Sequence, residues 1–287
     1  MSDPFDFDHF VALPRLSGLR LSPDGSRLVV AVATPAPDGK KLRTALWSVD
    51  PEGKGTPRRL TRSAAGESSA AFLPDGSIVF TSARPDPDAK PDGDDPPAGL
   101  WHLAAEGGEA RLLVAPPGGV GGLAVAEASG ALALMVSMHP GVEDFEQDGE
   151  REKARKEAGV QALLFEDYPI RFWDHYLGPR DPRIFIADAP AGDAALGPFA
   201  DVTGSSGTAL PEASFDIAPD GSAVVTTWRR DTVGDTGDDI VLIDRATKAR
   251  RALTEHGWYG DPVFSRDGAS IAAIRGSQAG RDDPMRT

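Results

Sequence analysis

A tetrapeptide ending in Asp-Gly recurs along this chain, and it restricts the possible folds more than any other feature. Ser22-Pro23-Asp24-Gly25, Leu73-Pro74-Asp75-Gly76, Ala218-Pro219-Asp220-Gly221 and Ser265-Arg266-Asp267-Gly268 share the pattern, with Glu127-Ala128-Ser129-Gly130 as a weaker fifth copy. Proline presets φ for a type I turn, aspartate bonds the local backbone, and glycine accepts the positive φ that closes a hairpin. Each copy is followed by a short apolar run, at 28–32, 78–81, 131–136, 223–227 and 270–274. Runs of this length and β-branched content are predicted to be strands buried on both faces.

Two further elements recur downstream of each turn. One covers 45–50, 99–103, 183–188 and 239–244; the other covers 58–61, 110–113, 199–203 and 250–254. With the strand before each turn, every unit has four antiparallel strands, which is the plan of a propeller blade. The predicted fold is all-β, a β-propeller of four-stranded antiparallel blades. An arm at 1–17 precedes blades at 18–62, 66–115, 119–204, 210–255 and an incomplete 258–287, about four and a half in all. The 32 Gly and 25 Pro agree with many short strands and oppose a helical bundle.

Successive turn glycines are 51, 54, 91 and 47 residues apart, so the third blade carries an insertion, placed at 139–182. Within it, 150–158 has helical propensity and alternating charge, ends at Gly159, and is expected to be an exposed helix. An aromatic segment follows at 165–176. The stretch 85–97 holds five Pro and five Asp, and reads as a solvated connection between the second and third strands of blade two.

The chain has 44 acidic against 30 basic residues, a net charge of −14, and supplies no clustered Lys and Arg for a phosphate backbone. Nucleic acid and anionic membranes are therefore not expected partners. The absence of cysteine excludes disulfides and thiolate chemistry, and the opening residues have no apolar signal-peptide core. The expected location is cytoplasmic.

The segment 13–25, beginning Leu13-Pro14-Arg15-Leu16-Ser17-Gly18, resembles the start of the N-terminal propeller of the prolyl oligopeptidase family of serine peptidases. The likeness is to its acylaminoacyl-peptidase and dipeptidyl-aminopeptidase-like bacterial branch. Residues 168–180, with Tyr168-Pro169-Ile170-Arg171-Phe172-Trp173, resemble that branch's insertion. The resemblance covers essentially the whole chain but only the propeller half of such an enzyme. It implies a C-terminal α/β-hydrolase domain as partner, peptides as substrates of the full-length enzyme, and a gating role for this part. Four and a half blades do not close a ring, so the chain is expected to be a fragment whose exposed sheet edges favour aggregation. Homo-oligomer formation is left open.

The residues themselves carry no hydrolase chemistry. No G-x-S-x-G nucleophile elbow occurs, and Gly204-Ser205-Ser206-Gly207 is one residue short of it. His9, His102, His139, His175 and His256 lack metal-ligand spacing, so neither metal nor cofactor is expected. The segment best placed for substrate or interdomain contact is Arg171, Trp173, Asp174, His175 and Tyr176. There Arg171 could pair a carboxylate and Asp174 an amine. The competing reading has Phe172 and Trp173 pinning the insertion while Arg171 and Asp174 pair locally. Trp47 and Trp101, at equivalent third-strand positions, read as packing residues. A stand-alone binding or scaffold propeller is the alternative function, and a channel-centred metal enzyme a remoter one.

Overall fold

A computed structural model describes residues 6–87, 95–165, 170–172, 175–192, 196–230, 237–255 and 257–276, with backbone alone at 172 and 175. Hairpins form at the Asp-Gly repeats. In the first, the Gly25 N–H donates to the Ser22 carbonyl at 2.9 Å with φ of 73°, a left-handed conformation that glycine adopts without steric cost. The same bond closes the turns at Gly76, Gly221 and Gly268, at 2.9, 2.8 and 2.8 Å.

The turn aspartates are held as anions. Asp24 accepts from the Ser22 hydroxyl (2.5 Å), the Ser26 hydroxyl (2.7 Å) and the Ser26 N–H (3.0 Å), which lowers its pKa to about 2. Hydrogen bonds from Ser222 and Ser265 lower Asp220 and Asp267 in the same way. At Asp75 burial pushes upward, but the Ser77 hydroxyl and N–H outweigh it and the net direction is down. Each folded-state value lies below the unfolded one, so the stabilisation is complete above the unfolded value and lost as pH falls through the folded one. The urea midpoint is therefore expected to hold near neutrality and to fall between about pH 4 and pH 2. Asp24→Asn should flatten part of that decline, and an unchanged decline in the variant would contradict this.

The chain divides into two compact units, Met1–Ala115 and Pro116–Thr287. In the first, a short helix α1 (Phe7–Ala12) is capped by the Asp6 carboxylate. One antiparallel sheet then joins β1 (Arg15–Leu21), β2 (Leu28–Pro35), β3 (Leu42–Val49) and β4 (Arg58–Arg59) in sequence order. A second joins β5 (Ser68–Phe72), β6 (Ile78–Ser82), β7 (Gly99–Leu103) and β8 (Arg111–Val114). Val29, Ala31 and Leu46 of the first sheet share a buried cluster with Phe72, Ile78, Phe80 and Trp101 of the second. Trp101 is 1% exposed and its indole N–H donates to the Ser82 carbonyl at 3.1 Å; Trp47, at the matching position, is half-buried.

In the second unit β9 (Val120–Val125) and β10 (Leu132–Met138) precede the insertion. Helix α2 (Phe145–Glu157) and a two-stranded hairpin, β11 (Arg171–Phe172) with β12 (His175–Tyr176), lie within it. β13 (Asp181–Ala187) then returns to pair with β10 in full register, and β14 (Ala200–Asp201) completes the sheet in the order β14-β13-β10-β9. The next sheet runs β15 (Phe215–Ile217), β16 (Ala223–Arg229), β17 (Asp238–Asp244) and β18 (Arg250–Ala252), and β19 (Trp258–Phe264) pairs with β20 (Ile271–Gly276).

A threonine just past the fourth strand extends three of the ladders. Thr61, Thr203 and Thr254 hydroxyls accept the N–H groups of Leu46, Ile184 and Ile240 at 2.9, 2.9 and 2.8 Å. The aspartates that end third strands organise the loops after them. Asp50 and Asp244 each collect loop N–H groups, and those bonds lower both pKa values.

Two expectations require correction. The run 270–274 is not buried on both faces: Ile274 is 63% exposed, because among the described residues β20 pairs only with β19. The insertion helix starts at Phe145 rather than near 150, because Asp144 caps it and the Phe145 ring packs against Phe185 and Phe199. Of the stretch 85–97, residues 88–94 lie outside the described residues.

Candidate functional site

The insertion is anchored by a buried polar network that begins in the first turn of α2. The Asp144 carboxylate accepts the Gln147 N–H at 2.8 Å, and the Gln147 side-chain oxygen accepts the Glu143 N–H at 3.2 Å, a reciprocal N-terminal cap. Phe145 packs against Phe185 and Phe199 with ring centroids 4.9 and 5.2 Å away, which turns the position three residues on, on the same helix face, inward. That position is Asp148, fully buried.

Asp148 faces His139, which follows β10, and Arg180, which precedes β13. Its Oδ1 accepts the His139 backbone N–H at 2.8 Å and lies 2.7 Å from His139 Nδ1, while Oδ2 accepts from Arg180 Nε at 3.1 Å. A carboxylate only accepts, so Nδ1 carries the imidazole proton. His139 Nε2 is left 3.4 Å from Glu152, whose carboxylate also lies 3.4 Å from Arg180. Arg183 completes the anchor through the Val142 and His139 carbonyls, at 2.8 and 3.1 Å. One helix and two strand ends are thus held by four charged side chains and an imidazole, with Asp148 as the acceptor shared by His139 and Arg180.

Above this network lies an open-sided cleft of about 980 Å³. His139 and Asp181 form part of its floor. Leu163, Leu164, Phe165 and Trp228 supply apolar wall, Arg151 and Arg155 of α2 line one side, and Ser205 and Thr208 lie in the loop after β14. Burial raises the Asp181 pKa against the pull of Arg183. Among the described residues no group of three His, Cys, Asp or Glu is placed to hold a metal ion, and no helix is long and apolar enough to cross a membrane.

The aromatic hairpin stands beside this cleft. Arg171 pairs in register with Tyr176, and its guanidinium lies 5.6 Å from the Tyr176 ring centroid, a local stack. Tyr176 in turn lies 6.0 Å from Phe165 of the cleft wall. Trp173 and Asp174 fall outside the described residues, as does the His175 side chain. The residues that sequence reasoning missed are Asp148 and Glu152 of α2, which meet His139, and Arg180 from the other end of the insertion, which joins them. The one local signal for them was the helix cap at Asp144.

Neither a protein-family profile nor a curated protein matches the chain. Solved structures do. The acylaminoacyl peptidase of Pyrococcus horikoshii superposes with a TM-score of 0.60 at 12% identity, over 92% of this chain and 36% of that one. The fold is a β-propeller. Prolyl oligopeptidase B from Galerina marginata gives 0.54 at 12% identity, over 91% of this propeller and 32% of that chain. A chain assigned as TolB from Agrobacterium tumefaciens gives 0.55 at 13% identity, over 91% of this chain and 70% of that one. This propeller thus spans about a third of the length of the peptidase chains it matches.

Proposed function

We propose that this propeller is the non-catalytic part of a serine peptidase acting on aminoacyl or acyl-aminoacyl peptides, where it restricts access to a C-terminal α/β-hydrolase domain. The observation that carries the reading is the match over nearly all of this chain to about a third of peptidase chains, leaving the other two thirds to supply the chemistry. It is supported by the absence from the sequence of any G-x-S-x-G elbow and by an anchored insertion that walls a cleft lined also by β13 and β16. In the whole enzyme, serine attack on the peptide carbonyl would give an acyl-enzyme that water then hydrolyses.

The test is to read the gene beyond codon 287 and express the full frame. A frame that continues into G-x-S-x-G and yields serine-reagent-sensitive cleavage of aminoacyl or acyl-aminoacyl chromogenic substrates is expected. A stop at that point with a folded product would instead favour a stand-alone binding module, the reading to which the 70% coverage of the TolB chain gives weight.

A further inference from the structure

The cleft beside α2 has a charge character opposite to that of the chain. In a sequence with 44 carboxylates and a net charge of −14, its charged lining among the described residues is three arginines, Arg151, Arg155 and Arg229, with Asp181 as the acidic member. Arg229 is engaged by Glu212 and Asp238, both at 3.8 Å. Arg151 and Arg155 are not engaged by any carboxylate among the described residues; Arg155 reaches only the Ala162 carbonyl, at 3.4 Å.

These two arginines are one helical turn apart, and like charges at that spacing destabilise a helix unless an anion sits between them. The carboxylates three residues before each arginine, Asp148 and Glu152, are committed to the buried network, and Glu157 pairs with Lys153 at 3.9 Å. Next to the arginines the wall turns apolar, with Leu164 at 86% exposure and Trp228 beyond it. Ser205 and Thr208 add hydroxyls suited to amide groups. The volume, about 980 Å³, is at the upper end of the range for small-ligand pockets, roughly 300–1,000 Å³, and admits several residues.

We infer that this cleft binds the free C-terminal carboxylate of a peptide with apolar last residues, through Arg151 and Arg155. The carboxylate would lie between the two guanidiniums and the side chains along Leu163, Leu164 and Trp228. That the acid is a peptide, and not another amphipathic carboxylate, rests on the peptidase reading above.

The test is calorimetric titration of the full chain with N-acetyl-Ala-Leu-Phe as the free acid, the same peptide as its C-terminal amide, and octanoate. The acid is expected to bind at least about tenfold more tightly than the amide, the scale of one charge-assisted pair. In R151Q/R155Q, whose glutamines keep helix propensity, that preference should vanish while the circular dichroism spectrum stays unchanged and the melting temperature does not fall. Equal binding of acid and amide, or an undiminished preference in the double variant, would overturn the site. Octanoate binding as tightly as the tripeptide would overturn the peptide as occupant. The peptidase reading itself is decided separately, by whether the reading frame encodes a nucleophile.

Discussion

Asp148→Ala is expected to lower the unfolding free energy of the Pro116–Thr287 unit by about 3–5 kcal/mol, the scale for breaking a buried ion pair from one side. The reason lies in what remains. Asp148 is fully buried and is the acceptor for Arg180 Nε, for His139 Nδ1 and for the His139 backbone N–H. Removing it leaves a mostly buried guanidinium with only Glu152 nearby, and orphans a main-chain donor that cannot reach water. Asp148→Asn should cost less, because its amide oxygen can still accept one bond. Urea denaturation followed by tryptophan fluorescence measures both, and a loss below about 1 kcal/mol for the alanine variant would mean that the network is not what anchors the insertion. A double-mutant cycle with Arg180→Ala should show strong coupling, since the guanidinium has less reason to be buried once its carboxylate is gone.

Trp101→Ala should be of similar size, about 3–5 kcal/mol, and should act in the Met1–Ala115 unit instead. The indole fills the centre of the two-sheet cluster, and its loss leaves a cavity between Phe80, Leu46 and Ile78. It also frees the Ser82 carbonyl and removes the ring over which Arg84 lies, with its guanidinium 4.8 Å from the Trp101 centroid. Arg84 is in turn 3.2 Å from the buried Glu67, which accepts the Thr61 hydroxyl at 2.7 Å, so the damage spreads to the end of the first sheet. Trp47→Ala, at the same strand position but half-buried, provides the comparison. It should cost clearly less, and equal losses at the two sites would contradict the packing described.

The architecture was legible in the sequence because its cues are local. Asp-Gly turns, the apolar runs after them and the two elements downstream each depend on residues within about five positions, and each appears in the structure where those residues stand. Ile274 misled because an apolar strand reads the same whether or not another strand covers it. The helix boundary at Phe145 was hidden because Asp144 precedes a glycine-containing stretch of low helix propensity, and capping with ring packing overrides propensity there. The site was less legible still. His139, Asp148 and Arg180 meet only because β10 and β13 pair across the insertion, and nothing in the spacing of the three announces it. Arg171 and Tyr176, chosen for their chemistry, do lie on a hairpin whose tyrosine packs beside the cleft, while the arginines that line it were taken for an exposed helical face.

The repeated turns do more than reverse the chain. In the second unit the Ala128 and Ser129 N–H groups donate to the Pro219 carbonyl at 2.9 and 3.1 Å, and Arg266 pairs with Glu127, so the turn of one sheet is bonded to the turns of others. In the first unit Arg27, just past its turn, donates to the Gly76 and Ala105 carbonyls of the following sheet at 3.1 and 3.3 Å. Within each unit the sheets therefore behave as coupled links, each with an intrinsic free energy and an interface term to its neighbour. The tetrapeptide contributes to both terms at once, so cooperativity of unfolding within a unit depends on the same few residues that shape its hairpins.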